Sequence, residues 1–423
     1  MRVLMLGWEF PPFISGGLGT ACLGLTKAMK GVGLDVLFVL PRGMGTDGTS
    51  HAQIRGQRVR VALGSTAEFS HVSVKPVSSR LASPYESPSP SATSAATIAT
   101  CREREQFGRT PRKELPYLAD HYGGNLLTEV YRYANACVEL AQDETFDVIH
   151  AHDWMTYPAG LAISGMTGKP LVVHVHSTEF DRSGEHIHRQ ISDIEREGMQ
   201  RATSVICVSE MTKNTVIAHY GISAEKIEVV YNGVDLPEQR EPITVIPRGH
   251  KVVLFLGRIT MQKGPEYFVA AAKKVLQKVE NVKFIMAGAG DMFHRTIEQV
   301  ASLGIGHKVL FSGFLHGLDV DRAFRLADLY VMPSVSEPFG IAPLEAVCRG
   351  VPVLISKNSG VSEVLRHALK ADFWDIDEMA NKIVGILRHP PLGATLRQHA
   401  TQEIRELTWE RAAVACARVY ERI

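Results

Sequence analysis

The sequence predicts an α/β protein built from two doubly wound, Rossmann-like domains that face each other across a deep cleft. Three observations carry that expectation. Short runs rich in Val, Ile and Leu alternate with amphipathic helical patterns along almost the whole chain, as parallel strands joined by crossover helices do. The chain has 423 residues, beyond the size at which a single hydrophobic core stops growing. A break carrying Pro237, Pro242 and Pro247 divides the alternating pattern into two series and reads as an interdomain linker.

In chain order, the first series offers strands at 2–6, 36–40, 148–151, 171–175, 204–208 and 227–230, with helices such as 20–30 and 189–200 between them. Each strand candidate is short and continuously apolar, as a strand buried on both faces is. The second series offers strands at 252–256, 282–287, 309–311, 329–332 and 352–355, and helices starting near Pro265, Met292, Asp319, Pro343 and Val361. Residues 1–236 are therefore assigned to a first domain and 250–400 to a second. Residues 409–423 form an amphipathic helix with Ala, Val, Cys and Tyr on one side, expected to pack back on the first domain. One tract stands apart: 78–100 is dominated by Ser, Ala, Pro and Thr and reads as a surface loop, with a lid over the cleft as the alternative.

Composition narrows the function classes. Hydrophobic residues at 45% and charged residues at 22% are ordinary for a soluble globular protein. Forty-six basic against 45 acidic side chains give a net charge of +1, which supplies no electrostatic footprint for nucleic acid. The six cysteines are scattered, with no C-x-x-C pair, and read as reduced core residues. The apolar opening of 1–6 ends at Gly7 and Glu9, too short for a secretory leader, and no run approaches 18 apolar residues. A cytoplasmic protein is expected, with peripheral membrane contact left open.

Four blocks carry chemistry. Gly16-Gly17-Leu18-Gly19 follows the first strand and opens a helix, where backbone N–H groups and the absence of a side chain suit a phosphate. It departs from the nicotinamide fingerprint, because Cys22 stands at the third glycine. Val148-Ile149-His150-Ala151-His152-Asp153-Trp154 sends two imidazoles to one side of a strand's carboxyl end, and His174-Val175-His176 ends the next strand alike. These histidines are expected to face the cleft as hydrogen-bonding groups; without a carboxylate-rich shell, a metal site is not expected. Gly257-Arg258 through Lys263-Gly264 places a guanidinium fork and an ammonium after the first strand of the second domain, a pair suited to a diphosphate. Finally, Glu337-Pro338-Phe339-Gly340-Ile341 with Glu345 sets two carboxylates around free backbone donors. Glu337 is expected on a loop and Glu345 in the first turn of the next helix. One carboxylate would bind sugar hydroxyls and the other ribose hydroxyls, although Glu345 also reads as a helix-dipole partner.

These blocks, in this order, resemble the retaining glycosyltransferases of the two-domain GT-B fold, in particular family 4 (group 1) and its glycogen-synthase-like members. The resemblance covers nearly the whole chain and implies transfer of glucose from ADP- or UDP-glucose to an α-glucan. By position it implies that Arg258 and Lys263 bind the donor diphosphate, Glu337 the donor sugar and Glu345 the ribose. It places Gly17 near the phosphate from the opposite domain, and His152 near the sugar's C6 hydroxyl. Asn232 falls at the interdomain hinge facing the cleft, backbone around Phe314 holds the base, and Phe339, Gly340 and Ile341 supply donor-binding backbone. No metal is expected. The Asp319/Asp321 and Asp375/Asp377 pairs have the Asp-x-Asp spacing of metal-dependent transferases but read as solvated helix faces. The longer glycogen synthases carry Lys where Ile14 stands and Asp where Thr20 stands. That difference widens the expected acceptors to an envelope polysaccharide, a lipid or a small sugar. A catalytically inactive nucleotide-binding protein and a nucleotide-sugar epimerase are the readings from other classes.

Overall fold

The structure, a computed structural model, describes residues 1–10, 16–43, 70–79, 126–184, 186–236 and 249–423. The linker prolines, Ile14 and nearly all of the 78–100 tract lie outside the described residues.

Among the described residues the first half forms a seven-stranded sheet in the order β3-β2-β1-β4-β5-β6-β7. Its strands are β1 (Arg2–Leu6), β2 (Asp35–Gly43), β3 (Val72–Ser79), β4 (Val148–His152), β5 (Leu171–Val175), β6 (Ser204–Cys207) and β7 (Ile227–Val229). The second half forms a six-stranded sheet ordered β10-β9-β8-β11-β12-β13. Here the strands are β8 (Lys251–Leu256), β9 (Val282–Ala287), β10 (Val309–Gly313), β11 (Leu329–Met332), β12 (Val353–Ser356) and β13 (Leu369–Ala371). Neighbouring strands are parallel throughout, as in β1 with β4 and β8 with β11. Each sheet starts at its centre and winds outward twice, so strand order reverses between β1 and β4 and again between β8 and β11. Those two switch points are where ligands of doubly wound folds bind.

Central strands such as β4, β5 and β6 are buried at every residue, which is why they read as continuous apolar runs. The two strands that the periodicity missed are at sheet edges. In β3, Val-Ser-Val-Lys-Pro alternates polar and apolar residues, and Pro76 is tolerated there because an edge leaves one side of the ladder unpaired. β13 is only three residues long.

The last helix (Trp409–Glu421) buries Trp409, Ala412, Ala413, Cys416, Val419 and Tyr420, one stripe at helical spacing. That stripe shares a core with Val3, Met5, Phe38, Val148, Val172 and Ile206 of the first sheet. Gly24, in helix Gly17–Ala28, makes the contact possible: a Cβ there would lie 2.1 Å from the Trp409 ring. The chain thus leaves the first domain through 230–236 and returns beside its own exit, where Val234 N–H donates to the Leu407 carbonyl at 3.0 Å. Among the described residues no helix is long and apolar enough to cross a membrane.

Candidate functional site

The second sheet's switch point gathers two of the four blocks. The loop leaving β8 carries Arg258 and Lys263, and the loop leaving β11 carries Glu337. They are tied together by Val335 N–H donating to the Gln262 carbonyl at 2.9 Å. Gly264 is what lets them close: its φ is +63°, and a Cβ there would sit 2.3 Å from the Pro333 carbonyl oxygen. The result is an ion pair between Lys263 Nζ and the Glu337 carboxylate. Ser334 Oγ donates to the same carboxylate at 3.2 Å. Glu337 is only 7% exposed, so these partners take the place of the water its carboxylate would otherwise bind. Arg258 Nη2 donates to Gln262 Oε1 at 3.3 Å, which aims the guanidinium along the same loop.

Beyond Glu337 the chain turns at Gly340 (φ +100°) and enters helix Ile341–Cys348. This corrects the expected helix start near Pro343: Glu345 lies past the first turn, where the dipole's pull on a carboxylate has faded. Burial instead pushes the Glu345 carboxyl up, with Arg349 opposing. Phe339 is buried, and Ile341 packs against the core, so these two residues offer backbone rather than side chains to the cleft. Phe314 follows β10 and is 46% exposed. The loops after β9 and β10 are joined next to it by Gly288 N–H donating to the Gly313 carbonyl at 2.8 Å.

In the first domain, Gly17 begins helix Gly17–Ala28 at the carboxyl end of β1. A Cβ at Gly16 or Gly17 would meet nothing within 4 Å among the described residues. The histidines behave differently from expectation. His150 and His152 are both 0% exposed, stacked on each other with ring centroids 4.4 Å apart. His150 bonds Tyr420 of the last helix, beneath the sheet rather than in the cleft. His152 Nδ1 pairs with His176 Nε2 at 2.9 Å, and His176 is the member with some solvent access. The cause is the C-terminal helix, which covers the sheet face on which β4 and β5 place these side chains. Burial pushes His150 and His176 down to about 3 and the other two well below their usual value, so all four rings are neutral.

Asp153, next in the chain, has a φ of +59°, the one non-glycine residue with positive φ among those described. Its carboxylate accepts from the backbone N–H groups of His176 at 2.7 Å and Ser177 at 3.3 Å. It thereby ties the carboxyl ends of β4 and β5, a role the sequence did not signal; strained backbone of this kind concentrates at functional sites. Burial raises this carboxyl to about 7 against the pull of Arg182.

The two domains meet directly on the loop that carries Glu337. Ser209 Oγ and Thr212 Oγ1 donate to the Pro338 carbonyl at 2.6 and 3.3 Å. Ser336 Oγ donates to Asp181 at 2.6 Å. In return, the Glu363 carboxylate accepts from Glu210 N–H at 3.0 Å, Met211 N–H at 2.8 Å and Tyr231 Oη at 3.0 Å. Ser209 is legible in sequence as a helix cap, but nothing local announces its second bond. Asn232 is buried at the chain crossing and lines a cavity of about 520 Å³ there with Tyr231, Glu363 and Thr408.

The Asp-x-Asp pairs lie on helix faces, with the Asp319 and Asp377 side chains 59% and 74% exposed. Asp319 pairs with Arg322, Asp321 with Arg325 and Arg349, and Asp377 with Lys274. Asp375 caps helix Ile376–Arg388. Cys22, Cys137, Cys207 and Cys416 are buried free thiols whose burial raises their pKa, which keeps them unreactive.

Comparison with known proteins covers both halves. Residues 238–405 match the family model described as glycosyl transferases group 1, and residues 95–238 match that of Glycosyltransferase Family 4. The chain is similar to an uncharacterized glycosyltransferase of Methanocaldococcus jannaschii, at 29% identity over 100% of this chain and 98% of the other. It is similar to a glycogen synthase of Mycobacterium tuberculosis at 24% identity, covering 99% of this chain and 94% of that one. Its fold matches that of an Anabaena protein, HepE, solved in complex with UDP and glucose, with a TM-score of 0.69, 20% identity and full coverage of both chains.

Proposed function

We propose that the chain is a group 1 glycosyltransferase, a retaining hexosyltransferase moving glucose from ADP- or UDP-glucose to an α-glucan in the cytoplasm, a reading supported by the two glycosyltransferase family models that match its two halves. The observation that carries the reading is the Lys263–Glu337 pair, held at the switch point of the second sheet beside Arg258. A cation and a carboxylate set side by side match a donor whose diphosphate and sugar hydroxyls are neighbours. In this scheme the donor exchanges Lys263 onto the diphosphate, and Glu337 onto the sugar hydroxyls. Arg258 adds a second cation, Glu345 accepts from the ribose, and the backbone at Gly313–Leu315 around Phe314 receives the base. Phe339, Gly340 and Ile341 present N–H groups to the phosphates, and the N–H groups at Gly17 close on them from the other domain.

During transfer, the bond from the sugar's C1 to the diphosphate oxygen breaks while the acceptor oxygen bonds C1 on the same face. The departing diphosphate oxygen takes the acceptor's proton. Arg258 and Lys263 neutralise the charge that grows on that oxygen, so no metal is required there. His152 orients the sugar near C6 through its Nε2, which has no hydrogen-bond partner among the described residues and needs the cover over it to shift as the domains close. The glucan acceptor is supported by similarity to the mycobacterial glycogen synthase. Thr20, standing where the longer glycogen synthases carry Asp, favours a second reading in which the acceptor is an envelope polysaccharide, a lipid or a small sugar.

The deciding experiment incubates the purified chain with ADP-glucose or UDP-glucose, with and without glycogen, and follows nucleoside diphosphate release. Glycogen-stimulated release, with label entering the polymer, is the expected result. Release that ignores glycogen transfers the reading to the other acceptors, and no release with any sugar nucleotide removes it.

A further inference from the structure

We propose that Ser209, in the first domain, is a positioning residue for the donor site in the second: through the Pro338 carbonyl it sets the peptide whose N–H, that of Phe339, is offered to the donor. This role rests on the donor site proposed above and adds the group that orients one of its backbone donors.

The backbone on either side of Pro338 is fixed within its own domain. Glu337 N–H donates to the Asn358 carbonyl at 3.0 Å, Gly360 N–H to the Glu337 carbonyl at 2.9 Å, and Val361 N–H to the Phe339 carbonyl at 2.7 Å. Pro338 has no N–H, and its carbonyl turns instead to the first domain. There Ser209 Oγ donates to it at 2.6 Å, and Thr212 Oγ1 makes a longer bond at 3.3 Å. Gly360 leaves room for this contact: a Cβ there would lie 2.3 Å from the Pro338 carbonyl oxygen and 2.5 Å from Ser209 Cβ. Ser209 is itself held firmly. It is 0% exposed, and its hydroxyl accepts from Thr212 N–H at 3.0 Å as the cap of helix Glu210–Tyr220.

A trans peptide is planar, so its C=O and N–H point in opposite directions. Fixing the Pro338 carbonyl therefore fixes the Phe339 N–H on the side away from Ser209. Among the described residues that N–H has no acceptor, although Phe339 is only 2% exposed. An N–H left unpaired at so buried a residue is costly until a ligand accepts from it. The turn that presents it also folds over the proposed sugar-binding carboxylate, since a Cβ at Gly340 would lie 3.1 Å from Glu337 Cγ. The bond from Ser209 polarises the same peptide and makes its N–H a better donor. Because the grip crosses the seam, it exists only while the domains are together, which ties donor affinity to domain closure.

The test compares Ser209→Gly with Ser209→Ala in the full chain. Both lose the hydroxyl, but glycine is a good helix cap and alanine a poor one, so loss of the cap and loss of the cross-domain bond are separated. Urea unfolding reports the cap. Calorimetric titration with UDP and ADP, and the KM for the sugar nucleotide, report the donor site. Amide exchange over 335–341, followed by mass spectrometry, reports the peptide. Donor affinity is expected to weaken roughly 3–10-fold in both variants, the effect of one neutral hydrogen bond. Exchange should be faster in both, acceptor KM unchanged, and the urea midpoint lowered chiefly in Ser209→Ala. Unaltered donor affinity in Ser209→Gly overturns the proposal, as does a loss confined to Ser209→Ala, which is a capping effect. If the unaltered chain neither binds nor turns over a sugar nucleotide, the functional reading falls, and exchange alone decides the role of Ser209. Faster exchange in both variants then sustains its hold on the peptide, and unchanged exchange overturns it.

Discussion

Lys263→Met is the sharpest perturbation of the proposed donor site, because it removes one charge and keeps much of the side-chain volume. In the folded protein Lys263 Nζ faces a Glu337 carboxylate that has only Ser334 as a further side-chain donor among the bonds above. Breaking a fully buried ion pair costs about 3–5 kcal/mol, and an exposed one less than about 1. With 20% of the Lys263 side chain and 10% of the Glu337 side chain still exposed, the loss of stability falls between, at roughly 1–3 kcal/mol. Activity is expected to fall much further. Removing one group that stabilises developing negative charge lowers kcat by about 10²–10³-fold. Adding Glu337→Gln to the same chain separates the two effects, because a neutral amide no longer needs the ammonium. The double variant should regain most of the lost stability and none of the turnover. Urea unfolding and nucleoside diphosphate release measure the two quantities. Turnover of Lys263→Met within threefold of the unaltered chain would refute the role assigned to the ammonium. Equal stability loss in the single and double variants would refute the argument from the stranded carboxylate.

Other expectations test separate parts of the structure. Gly24→Ala drives a methyl into the Trp409 ring and should destabilise the first domain by about 1–3 kcal/mol; an unchanged urea midpoint would show that the last helix is not seated as described. Gly264→Ala forces a left-handed residue, at a cost of about 1–2 kcal/mol, and pushes against the Pro333 carbonyl, so both stability and donor affinity should drop, and preserved donor KM would count against the closed loop pair. Glu363→Ala strips the acceptor from two backbone N–H groups and the Tyr231 hydroxyl across the domain seam; small-angle scattering should report a larger radius of gyration, and an unaltered curve would mean that the seam is held without it. Burial raises the Glu345 carboxyl, so it protonates at higher pH than an ordinary glutamate, and donor affinity should weaken as pH falls toward that raised value. A pH profile of donor KM that is identical in Glu345→Gln would contradict the assignment.

What the sequence determined by itself was everything written in local chemistry. Parallel strands buried on both faces must be continuous apolar runs, so β1, β4, β5, β8, β9 and β11 were legible. Glycine and paired charges at strand ends single out Gly17, Arg258, Lys263 and Glu337 as candidates for a donor site. The C-terminal stripe from Trp409 to Tyr420 was equally plain. Edge strands such as β3 escaped because half their surface meets water and their pattern is mixed.

Tertiary structure decided the rest, because it depends on partners far apart in the chain. His150 and His152 looked like cleft residues until the last helix, some 270 positions on, covered their face of the sheet and turned them into a buried, neutral cluster. Asp153 reads as one more acidic residue until two amides from the next strand's end fold onto it. Ser209 is an ordinary helix cap in sequence; only the meeting of the domains gives its hydroxyl the Pro338 carbonyl beside Glu337. A residue's type and spacing state what bonds it is able to make, and the packing of remote segments selects the ones it makes.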